Sequence, residues 1–171
     1  MQAEPPELAT LVVRFTRTSP TQHRLDIMPP SGRRESRTLE TRSCLVHDLV
    51  HFAVETEARL TGSFYAILAR GTPYATLTDA TAGVGYGAEL WMTERVVGAL
   101  QGALKTEFEP AKFVAFFAAA QESMGEASPA WLTVDLVARV QSRLRQLLGA
   151  WRATKFGEAM ELRFTLAGAS A

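Results

Sequence analysis

Met160-Glu161-Leu162-Arg163-Phe164-Thr165-Leu166 decides the fold of this chain. Apolar and polar residues alternate strictly, the period of a half-buried strand. The stretch comes after Leu132, Leu136, Val140, Leu144, Leu147, Leu148 and Trp151, whose spacing is that of an amphipathic helix running to about residue 151. The chain therefore ends in β structure after a long helix. It also begins in β structure. Leu11, Val13 and Phe15 alternate with polar or outward positions, and Leu25 and Ile27 alternate with Arg24 and Asp26 across a Thr18-Ser19-Pro20-Thr21-Gln22 turn. Residues 34–41 alternate weakly and make a third, exposed strand.

Pairing both ends in one sheet gives an α+β fold. The expectation is an antiparallel sheet of three or four strands, built from the N-terminal hairpin plus the C-terminal strand and covered by four or five helices. Helices are expected from Ser43, a reasonable N-cap, to about Leu60, Ser63 to Arg70, Ala88 to about Leu104, Pro110 to about residue 124, and from either Ser128-Pro129 or Thr133 to about Trp151. Residues 72–87 read as turns, with 78–88 the best hinge. The glycine loop 83–87 reads as a connector, because it lacks both a preceding strand and the dinucleotide spacing. Residues 1–7 read as a disordered lead-in and 8–171 as a single domain.

Composition narrows the function classes. The chain of 171 residues has 18 basic and 18 acidic side chains, so nothing pulls it as a whole toward nucleic acid or an anionic membrane. Its longest apolar run, Phe113 to Ala120, is far shorter than the roughly 20 residues that span a bilayer. A single cysteine, Cys44, permits no internal disulfide and fits a reducing compartment. The start has no secretory pattern. Fifteen of the 18 basic residues are Arg, and alanine is abundant, as in a high-GC bacterial genome. The expected location is the bacterial cytoplasm. The seven arginines in the first 42 residues read as a solvated sheet face.

The chemistry-bearing stretch is Cys44-Leu45-Val46-His47-Asp48-Leu49-Val50-His51, with Glu55 one turn further. On a helix, His47, Asp48, His51, Glu55 and Arg59 share one sector while apolar residues fill the rest. Two imidazoles one turn apart can hold one divalent ion, such as zinc, with Glu55 as a ligand or as a support behind the ligands. A metal site needs a further side chain from another element. Glu94 is the first candidate, on a polar sector shared with Gly98 and Gln101. Asp48 is the candidate base. The plainer alternative is a polar stripe of hydrogen bonds and ion pairs, His51–Glu55 and Glu55–Arg59 among them.

The five residues His47 to His51 resemble the His-Glu-x-x-His helix of zinc peptidases, with Asp48 where that family has glutamate. What the resemblance implies is a zinc-bound water with Asp48 beside it. Cys44 to Leu49 also resembles the His-Asp helix of HD-type metal phosphohydrolases. That resemblance implies an all-helical domain, an earlier histidine, for which His23 is the one available, and a later aspartate, Asp79 or Asp135.

Two functions therefore stand. The first is an interaction, structural or homo-oligomeric protein without demonstrable catalysis, self-associating through the greasy helix that carries Phe113, Val114, Phe116 and Phe117. The alternative is a divalent-metal-binding protein or metal-dependent hydrolase using His47, Asp48, His51, Glu55 and Glu94.

Overall fold

The computed structural model describes residues 9–78 and 85–166. Four strands, β1 (Thr10–Arg17), β2 (Gln22–Met28), β3 (Glu35–Glu40) and β4 (Ala159–Thr165), form one antiparallel sheet in the order β3-β2-β1-β4. The C-terminal strand closes on the first one, with Phe15 opposite Met160, Val13 opposite Leu162 and Leu11 opposite Phe164. The hairpin turn follows from its hydroxyls. Ser19 Oγ accepts from the backbone N–H groups of Thr21 and Gln22, and Thr18 Oγ1 donates to the Gln22 carbonyl.

Alternation gives the sheet two different faces. Leu11, Val13, Phe15, Leu25, Ile27, Met160 and Phe164 are buried against the helices. The other face carries ion networks, Arg14–Glu161–Arg163 and Arg24–Asp26–Arg34, in which each carboxylate holds two arginines.

The described residues hold six α-helices: α1 (Val46–Ala58), α2 (Phe64–Ala69), α3 (Tyr74–Thr78), α4 (Ala88–Ala103), α5 (Pro110–Ser123) and α6 (Val134–Ala153). The helix count exceeds expectation by α3, in a stretch that reads as turns. Glu35 Oε1 accepts from the Tyr74 N–H at 2.9 Å, and Leu77 is buried, which anchors this short helix to the sheet edge. The lead-in expected over residues 1–7, Asp79, and Gly83 and Val84 of the glycine loop lie outside the described residues, as does most of the expected hinge.

α1 does not begin at a Ser43 cap. Strand β3 runs directly into a π-helical turn, Thr41–Leu45, and Glu40 caps it. The Glu40 carboxylate accepts from the N–H groups of Arg42 and Ser43 and from the Ser43 hydroxyl. Two oxygens on a longer side chain satisfy more free donors than a serine can. At the other end, Arg59 takes the left-handed conformation (φ 53°) that ends the helix, so the expected Glu55–Arg59 ion pair gives way to a backbone closure from Leu60 N to Glu55 O. Of the two openings expected for α6, the helix uses Thr133, whose Oγ1 accepts from Leu136 N, and not Ser128-Pro129.

α1 packs against α4 on one side and α6 on another, with α2 beside it. Its sequence sector of polar residues is therefore enclosed, and Asp48, His51 and Glu55 are all buried. α5 is not wholly buried: Phe113 and Phe117 enter the core while Phe116 is 70% exposed. Among the described residues, no helix is long and apolar enough to cross a membrane.

Candidate metal centre

The contact between α1 and α4 brings His47, His51 and Glu94 together, with one ligand-type atom from each lying within 4.8 Å of the others. His51 Nε2 is 3.1 Å from Glu94 Oε1, and His47 Nε2 is 3.7 Å from Glu94 Oε2. Ligands bound tetrahedrally at zinc distances stand roughly 3.3 Å apart. The two histidine–Glu94 contacts bracket that spacing, and the 4.8 Å span of the cluster has to contract by up to about 1.5 Å, through side-chain rotation, to close on one ion.

Each imidazole is set from behind. His51 Nδ1 lies 3.0 Å from Glu55 Oε1, and an ionised carboxylate only accepts, so Nδ1 carries the proton. The other Glu55 oxygen accepts from Tyr65 N at 2.9 Å, which fixes the carboxylate to the start of α2. His47 Nδ1 lies 3.2 Å from Gln101 Oε1, while Gln101 Nε2 donates to the Ser43 carbonyl at 3.3 Å. The Ser43 carbonyl can only accept, so Gln101 must present its amide nitrogen there and its oxygen to His47. Both rings are therefore protonated at Nδ1 and turn Nε2 toward Glu94. An outer acceptor on each metal-binding imidazole is the usual companion of a metal site.

Burial and charge set the protonation states. Burial and the neighbouring His51 push the His47 imidazole down, outweighing Gln101 and Glu94, so it stays neutral near pH 7. Burial also pushes His51 down, but the two flanking carboxylates, Glu55 and Glu94, carry it up to about 9. Burial raises the Glu94 carboxyl, yet the contact with His51 and the field of both histidines bring it below its ordinary value. His51 Nε2 is buried and makes no aligned hydrogen bond despite the 3.1 Å contact with Glu94. His47 and Glu94 are 39% and 43% exposed, so the cluster has one open side.

Asp48 sits on the same helix with its carboxylate buried and Oδ2 without a partner. Burial pushes its carboxyl up to about 7, with His51 opposing and Glu94 adding to the rise. Its backbone carbonyl accepts from the Tyr65 hydroxyl at 3.0 Å, holding that turn of α1 in place. Asp48 and His47 line a small cleft with Ser43, Cys44, Tyr74 and Gln101.

Of the residues the sequence nominates, His47, His51 and Glu94 converge, Glu55 stands behind His51 on its Nδ1 edge, and Asp48 borders the cleft. Among the described residues the HD-type arrangement does not assemble. His23 is buried in the sheet between Phe15 and Trp151, bonded to Thr41 Oγ1 rather than joined to the cluster, and Asp135 is exposed at the start of α6. Sequence reasoning missed the role of Gln101. Its signal was its place seven residues, two helical turns, after Glu94 on the same face. The chain matches no protein-family model, no curated protein and no solved structure.

Proposed function

We propose that this protein binds one divalent metal ion, zinc by ligand chemistry, through His47, His51 and Glu94, and that it is a metal-dependent hydrolase. The observation that carries the reading is the paired outer support. Glu55 and Gln101 each take the Nδ1 proton of one histidine, and both Nε2 atoms face the same carboxylate.

Two histidines and one carboxylate with an open side is the ligand set of catalytic rather than structural zinc. Such an ion lowers the pKa of bound water to about 7 and polarises a carbonyl or phosphoryl oxygen. The protein would contribute the enclosure of α1, the tautomers of both rings, and Asp48 as a buried carboxylate poised near neutrality for proton transfer. The test is hydrolysis of a panel of aryl esters, amides and phosphate esters by the zinc-loaded chain and by Asp48→Asn. The expected result is turnover that needs zinc and falls at least about 100-fold in the variant, which keeps its zinc. Zinc-loaded protein inert to the whole panel would leave metal binding without hydrolysis.

One observation favours a second reading, self-association. Trp91 and Phe116 are 52% and 70% exposed. Arg95 lies 4.5 Å from the Trp91 ring centroid and pairs with Glu126 just past α5, giving an aromatic and charged patch on α4. Light scattering across a concentration series decides it: a dimer weakened by Trp91→Glu supports this surface, and a monomer at all concentrations removes it.

A further inference from the structure

A larger cavity of about 680 Å³ adjoins the cleft beside His47 and Asp48, and Ser43 and Gln101 line both. These two residues are joined by the hydrogen bond from Gln101 Nε2 to the Ser43 carbonyl and stand as the wall between them. The larger cavity is a groove along the seam between the π-helical turn and the end of α4. A volume of this order accommodates a small organic molecule.

The groove has two components. Its floor is apolar, formed by Val46, Leu104 and Leu148. Gly98 and Gly102 of α4 face open space, where an added Cβ would meet nothing within 4 Å, so the absence of side chains there keeps the groove wide. Its rim carries Arg42 and Lys105. Eight of the 15 arginines pair with carboxylates among the described residues, Arg14, Arg24, Arg139 and Arg143 included. Among the described residues neither Arg42 nor Lys105 has an ion-pair partner. The nearest acid to Arg42 in sequence, Glu40, attracts it without a direct ion pair, because its oxygens are engaged by the cap of the π-helical turn.

We infer that this groove holds a small substrate with an aliphatic body and an anionic end group, carboxylate or phosphate. Arg42 and Lys105 receive the anion and the body lies on Val46, Leu104 and Leu148. This inference rests on the metal-centre reading for calling the bound molecule a substrate, while the anion site itself stands on this cavity and its two cations. Arg42 offers a planar fork that suits either anion, and Lys105 adds a second positive charge. The geometry makes Arg42 and Lys105 determinants of specificity, apart from the residues that hold the ion.

The experiment is calorimetric titration of hexanoate, hexyl phosphate and hexanamide into zinc-loaded protein, into metal-free protein, and into Arg42→Gln/Lys105→Gln. Zinc content is measured on every sample. The expected result is at least roughly tenfold tighter binding of one anion than of the amide. The double variant should lose that preference with its zinc unchanged, and metal-free wild type should retain it. Whichever of hexanoate and hexyl phosphate binds more tightly identifies the end group. Equal binding of amide and anions, or no binding of either anion at about 10 mM, would overturn the inference. So would anion binding that survives in the double variant and vanishes without zinc, because the anion would then be a metal ligand. Absence of zinc from wild type would count against the metal centre, while the metal-free arm would still test Arg42 and Lys105.

Discussion

His51 donates from Nδ1 to Glu55 Oε1 at 3.0 Å, and Glu55 is itself anchored by the Tyr65 N–H. The pair is buried at the centre of the fold, one helical turn apart on α1. It links the architecture to the chemistry, since the same carboxylate that joins α1 to α2 also decides which nitrogen of His51 is left for a ligand.

Glu55 should therefore matter both to stability and to metal affinity. Glu55→Ala leaves a buried imidazole and the Tyr65 N–H without their acceptor and is expected to cost about 3–5 kcal/mol in urea unfolding. Glu55→Gln keeps the shape and loses the charge, and its zinc affinity should fall roughly 10–100-fold. Unchanged zinc affinity in a folded Glu55→Gln protein would show that His51 is not a ligand.

Metal binding should release a proton. Without an ion, His51 is held protonated by two carboxylates, with its pKa raised to about 9. A metal takes the place of the Nε2 proton, so affinity should rise with pH up to about 9 and fall below it. Calorimetry at pH 7.5 in buffers of different ionisation enthalpy should report about one proton released per ion. An enthalpy independent of buffer would contradict this.

His23 predicts a separate acid-side effect on stability. Burial lowers its pKa below the ordinary value, with Glu40 opposing only in part. The unfolded chain then takes up a proton that the folded chain does not, so this contribution is full above about pH 6.5 and is lost as pH falls below it. His23→Phe should flatten the loss of stability between pH 7.5 and 5.5 measured by urea unfolding. An equal decline in both proteins would place the acid sensitivity elsewhere.

Neighbouring phenylalanines of α5 should behave oppositely. Phe117 is buried and Phe116 is 70% exposed. Phe117→Ala is expected to cost about 3–5 kcal/mol, while Phe116→Ala should stay within about 0.5 kcal/mol of wild type at concentrations where the protein is monomeric. A large loss from Phe116→Ala would mean that this face is covered.

The strands were legible because their alternation is local: β1, β2, β3 and β4 fall where period two places them, and the closure of β4 on β1 follows from there being β structure at both ends. α3 was not legible, because five residues held by Glu35 from another element carry no periodicity of their own. The wheel of α1 gave the right sector and left its surroundings open. A polar stripe with His51, Glu55 and Asp48 reads as a solvent-facing edge until α4 is seen to cover it. Glu94 could be nominated from its sector on α4, but the seating of Gln101 against both His47 and Ser43 depends on how two helices meet, which spacing does not encode.

Elemental analysis of untagged protein, loaded with excess zinc and dialysed exhaustively, reads the metal centre itself, beside His47→Ala/His51→Ala treated in the same way. A site built on these two histidines retains about one zinc per chain in the wild type and almost none in a folded double variant. Wild type that retains no zinc after loading, or a double variant that retains as much, would contradict it and leave α1 with a buried polar stripe.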